Sequence, residues 1–141
     1  MGVVGSGNII IARSEELPVT QHAGNATGKV IRVFYCLKPI QLDDITQKGG
    51  GAFQPLRKGT DLTQVGSFVI PIDECISCEL NQELFVTVYS VDADDVNKPE
   101  SKLLDNFQFG PGKSVIFTKS GYKFAKPGEI WVDEEGTNYK E

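Results

Sequence analysis

Oxygen donors crowd the stretch after residue 91, where Asp92, Asp94, Asp95 and Asn97 stand at near-alternate positions and Glu100 and Asp105 follow. Hard divalent cations are held by several such oxygens at once, and Asp43 and Asp44 occupy a comparable place after another strongly apolar run. These residues nominate a calcium site built from Asp43, Asp44, Asp92, Asp94 and Asp95, with Asp92, Asp94, Asp95, Asn97 and Asp105 available to a ligand bound there. A hydrated, solubilising loop has the same composition.

Thiol and imidazole chemistry is confined to four residues. Cys75 and Cys78 form a C-x-x-C, and Cys36 and His22 complete a nominal three-cysteine, one-histidine set. Structural zinc draws its ligands as two close pairs, whereas His22 and Cys36 are well separated, so small apolar side chains in or near strands are the simpler expectation. A redox thiol needs a helix N-terminus or a nearby cation to lower its pKa. Asp73, Glu74 and Glu79 flank the C-x-x-C instead and would raise it. Three thiols cannot all pair with one another, which fits a reducing compartment.

His22 is the single histidine, so any Ser-His-Asp or Cys-His centre would have to use it. Its surroundings, VTQHAGNATG, read as a loop ahead of a strand, with the imidazole facing solvent. The adjacent carboxylates Asp43/Asp44, Asp94/Asp95 and Glu134/Glu135 would point to opposite faces of a strand, which makes poor acid–base pairs. The glycine runs lack the lysine or following helix of a phosphate cradle. The chain is therefore expected not to be an enzyme.

Acidic residues after two strands, Asp43/Asp44 and Asp92-x-Asp94-Asp95-x-Asn97, are similar to the calcium-binding loops of C2-type sandwiches. That resemblance implies ions shared between two loops at one end of a sandwich. The chain departs from the pattern at Ser90, where that family commonly has Asp, and at Lys98-Pro99, which interrupts the loop.

The elements that must position these residues are short and β-like. Residues 83–91 (ELFVTVYSV) combine β-branched and aromatic side chains. With Leu84, Val86 and Val88 opposite Phe85, Tyr89 and Val91, they form a strand covered on both sides. Residues 29–37 (KVIRVFYCL) make a second, with Ile31, Val33, Tyr35 and Leu37 toward the core. Other strands are expected at 9–12, 64–72, 75–80, 103–109, 114–119 and 129–133, separated by turns such as Gly110-Pro111-Gly112. No segment sustains a helical period over three turns. Residues 41–62, which include Gly49-Gly50-Gly51, form one long Gly-rich loop, a candidate binding loop or intersubunit arm.

The expected fold is all-β, one domain over residues 1–141: an antiparallel β-sandwich, with a jelly roll as a variant, ending in a frayed polar tail at 133–141. Its core draws on Ile31, Val33, Tyr35, Leu37, Phe68, Ile70, Phe85, Val86, Val88, Ile116 and Trp131.

A chain of 141 residues is long enough to bury about two thirds of the surface its unfolded form exposes. Its net charge of −5 and pI near 4.9 argue against a phosphate-backbone partner. No run reaches the roughly 20 apolar residues of a membrane span. No secretory signal is read at the N-terminus, so a cytoplasmic location is expected. Gly2 with Ser6 meets the myristoylation pattern, although Ile9, Ile10 and Ile11 read more simply as a first strand. Asn25-Ala26-Thr27 fits a glycosylation acceptor, relevant to a secreted protein. The composite expectation is a non-enzymatic structural or interaction module, self-assembling or bound to another protein. Its alternative is a calcium-dependent domain for carbohydrate or lipid headgroups.

Overall fold

Alternation of β-branched and aromatic residues produces two stacked sheets in the computed structural model, which describes residues 21–46, 52–57, 59–125, 130–133 and 136–139. In chain order the elements are β1 (Gln21–Ala26), β2 (Ile31–Cys36), α1 (Leu42–Thr46), β3 (Ala52–Phe53), β4 (Gly66–Ile70) and β5 (Cys75–Cys78). They continue with β6 (Leu84–Asp92), β7 (Asp95–Phe109), β8 (Ser114–Thr118), β9 (Gly121–Ala125), β10 (Ile130–Asp133) and β11 (Gly136–Tyr139). One sheet has the order β3-β4-β2-β6-β7, the other β5-β1-β8-β9, and β10 pairs with β11. The fold is all-β and sandwich-like, as the sequence implies. Its sheets are mixed, however, because β1 runs parallel to β8 and β3 parallel to β4. None of the described helices is long and apolar enough to cross a membrane.

The core follows from the period of two along each strand. Ile31, Val33 and Tyr35 of β2, Phe68 and Ile70 of β4, and Leu84, Val86 and Val88 of β6 pack against Ala23, Cys78, Val115 and Phe117 from the facing sheet. Leu37 is only partly buried against this cluster, and Phe85 is half-buried. Ile116 is fully buried but alternates with Val115 and Phe117, which places it on the other face of its sheet. Trp131 lies on β10, whose side chains fall outside the described part of the structure, as does the strand expected at residues 9–12.

Both faces of β2 are covered. Phe34 and Cys36 form a second cluster with Ile40 and Tyr89, so Cys36 is buried on the side away from the main core.

Two polar segments fold differently from their composition. The expected loop around His22 is the buried strand β1, paired with β5 and β8. The Gln21 side chain is consumed by backbone groups: Gln21 Nε2 donates to the carbonyls of Gly110 at 2.9 Å and Lys113 at 2.7 Å, and Gln21 Oε1 accepts from Leu80 N at 3.0 Å. Burial costs little when every polar group has a partner. The expected acidic loop is the start of β7, joined to β6 by a tight turn at Asp92–Asp95 and carrying several register shifts. Long exposed hairpin arms keep polar side chains, so composition alone reads them as loop.

Candidate interaction surface

The two sheets end side by side in β7 and β9, and aromatic rings close the gap between them. Register pairs Val115 with Phe124 and Phe117 with Tyr122, so both β9 rings share the core-facing side of β8. Phe107 stacks on Tyr122 with centroids 4.3 Å apart and on Phe117 edge-on at 5.9 Å. Phe109 and Phe124 lie nearly parallel at 6.2 Å. Lys113 Nζ sits 4.2 Å from the Phe124 centroid, a cation–π contact at the rim. The rings are nonetheless incompletely covered, with Tyr122 38% and Phe124 41% exposed. Gly112, at φ +80, supplies the left-handed turn that starts β8 beside them, and the Gln21 amide pins the carbonyls on either side of that turn.

Sheet edges invite pairing, and in the two large sheets three of the four are blunted. β3 has only two residues. β5 is capped by the preceding segment: Arg57 Nη1 donates to Ser77 O at 2.7 Å, and Glu79 N donates to Leu56 O at 3.0 Å. β7 combines register shifts with Lys98, Pro99 and Lys102, all exposed. β9 is different: its pairing with β8 is regular, it has no proline, and among the described residues no strand pairs with its other side.

The acidic residues singled out by composition serve the hairpin. Asp92 Oδ1 accepts Asp94 N at 2.8 Å and Asp95 Oδ1 accepts Asn97 N at 3.1 Å, both turn-shaping bonds. Asn97 Oδ1 accepts from Arg32 Nη1 at 3.2 Å. Asp105 lies farther along β7, 3.6 Å from Lys102 Nζ in an exposed ion pair. The strand ends that precede the two acidic groups are opposite ends of a pair, since Cys36 faces Phe85 while Ile31 faces Ser90. Asp43 is exposed at the start of α1, and the side chain of Asp44 lies outside the described part. Among the described residues no group of three or more His, Cys, Asp or Glu side chains is arranged to hold a metal ion.

The thiols and the imidazole are enclosed. Cys36, Cys75 and Cys78 are all free and buried. Burial pushes the Cys75 and Cys78 thiols up to about 12, with Glu74 adding to the effect at Cys75. His22 is 4% exposed, Nδ1 has no hydrogen-bond partner among the described residues, and burial lowers its pKa to about 4. It alternates with core-facing Ala23, so it lies on the outer face of β1; both lateral edges of that strand are paired, which leaves this face for the β10–β11 hairpin that packs against it. The glycosylation triplet is likewise inside the fold: Asn25 is fully buried, with its amide donating to Lys29 O at 2.6 Å and Ile70 O at 3.0 Å.

Sequence reasoning missed Tyr122 and Phe124. The available signal was the alternation in GYKFA after SVIFT, too short to stand out from its lysines. Comparison with family models, curated proteins and solved structures finds no match to this chain.

Proposed function

We propose that this chain is a non-enzymatic interaction module that associates with a second copy of itself through β9. The observation that carries this reading is the pairing-competent edge of β9 with two half-exposed aromatic rings, in a pair of large sheets whose other three edges are blunted. Buried thiols and a buried neutral imidazole support the non-enzymatic part, since none of them is poised as a nucleophile or base.

Two β9 strands joined antiparallel about a two-fold axis would merge the two four-stranded sheets, an isologous arrangement that closes on itself. A pairing centred on Lys123 would oppose like charges. Centring it on Phe124 sets Lys123 against Ala125 and brings the two aromatic rims together.

Sedimentation velocity over a concentration series tests the reading. The unmodified chain is expected to associate, Ala125→Lys to weaken association and Ala125→Glu to strengthen it by facing Lys123, with thermal melts confirming that both variants fold. A strictly monomeric chain at every concentration, or equal effects from the two substitutions, would overturn it.

A further inference from the structure

A cavity of about 540 Å³ with mixed polar and apolar lining lies beside β5, on the flank of the sandwich away from β9, and Arg57 forms part of its wall. A second hollow of about 350 Å³ adjoins it, and Arg57 and Ser77 line both. The position of Arg57 is built into the fold. Leu56 beside it is 2% exposed in the main core, and Leu56 O accepts Glu79 N. Thr60 N donates to Arg57 O at 3.1 Å and Arg57 N donates to Thr60 Oγ1 at 3.2 Å, closing a turn that Gly59 completes at φ +90.

Within that frame the guanidinium is latched through Nη1 to Ser77 O at 2.7 Å and to Leu56 O at 3.5 Å, and its Nε and Nη2 have no partner among the described residues. A guanidinium held by one nitrogen with its other donors free is prepared for a planar anion. Asn81 and Gln82 also line the cavity with side-chain amides that bond to nothing described, Glu79 adds a carboxylate, and Leu62 and Leu80 supply short apolar surface.

These groups define the ligand by its chemistry. Among the described lining residues one guanidinium stands with one carboxylate, which suits a singly charged anion better than a phosphate dianion. Among the described residues no aromatic ring lines the larger cavity, which disfavours a flat apolar ligand. Two amides and a carboxylate match hydroxyl groups, and the volume falls within the usual range of small-molecule sites. We infer that this cavity binds a small polyhydroxylated carboxylate of the sugar-acid class, its carboxylate on Arg57 and its hydroxyls on Asn81, Gln82 and Glu79.

The inference stands apart from association through β9 and is tested separately, by amide NMR titration of the full chain with glucuronate, glucose and inorganic phosphate as probes. Glucuronate is expected to shift the amides of Arg57, Thr60, Asn81 and Gln82 saturably, with glucose and phosphate at least about tenfold weaker. Arg57→Gln should erase the preference for glucuronate over glucose, Arg57→Lys should restore part of it, and Gln82→Ala should weaken both sugars alike, with melting curves reporting on folding. Absence of saturable shifts at these amides, equal binding of glucose, or a preference that survives Arg57→Gln in a folded protein would overturn the assignment.

Discussion

Phe107 of β7 and Tyr122 of β9 stack at 4.3 Å with their planes 23° apart, joining the last strand of one sheet to the last strand of the other. Phe107 is 9% exposed and also meets Phe117 and Phe124, so it carries the packing of this seam, whereas Tyr122 keeps a face in solvent. Phe107→Ala is expected to cost about 3–5 kcal/mol of stability and Tyr122→Ala distinctly less, about 1–2 kcal/mol. Urea unfolding of the two variants checks the order; equal losses would mean that the exposed ring is as structural as the buried one.

Asn25 holds the start of the sandwich together. Its amide donates to carbonyls of Lys29, Ile70 and Pro71, while Oδ1 accepts from Thr27 N at 3.0 Å and Thr27 Oγ1 at 2.7 Å. Removing that side chain leaves buried backbone groups unpaired. Asn25→Ala should therefore lower stability by roughly 2–4 kcal/mol, read as a fall in the urea midpoint at unchanged slope.

How much of this was legible in the sequence depended on where polar side chains find partners. β2 and β6 announce themselves because Ile31, Val33, Tyr35, Val86 and Val88 bury apolar groups at a period of two. β1 does not, because Gln21 and Asn25 are satisfied by carbonyls distant in sequence, a compensation no local pattern reveals. The aspartates from 92 to 95 suggest a cation by composition, yet two of them accept backbone N–H groups in the hairpin turn. The aromatic seam and the Arg57 wall are assembled from segments far apart in the chain, so their residue types were visible and their neighbours were not.

His22 makes stability depend on pH. An unfolded histidine takes up its proton near pH 6.5 and the buried one only near 4, so between these values the unfolded state binds more protons. Stability should be full above about pH 6.5 and fall as pH drops toward 4, with a slope of at most about 1.4 kcal/mol per pH unit. His22→Gln should flatten that window and leave the carboxylate-driven loss at lower pH. Chemical denaturation at a series of pH values measures this directly, and an unchanged slope in the variant would refute it.

The thiols should be inert until the fold opens. With Cys75 and Cys78 pushed up to about 12 and Cys36 also buried, iodoacetamide at neutral pH should modify the native chain at least about a hundredfold more slowly than the urea-unfolded chain. Mass spectrometry of the time course separates the three sites. Rapid labelling of Cys75 or Cys78 in the folded protein would contradict their enclosure.

Amide hydrogen exchange at low and high protein concentration tests association through β9 most directly. The β9 amides from Gly121 to Ala125 are expected to gain protection as concentration rises, while β7 amides around Pro99 stay unchanged and Ala125→Lys abolishes the gain. Association that leaves β9 exchange unaltered, or exchange independent of concentration, would contradict it.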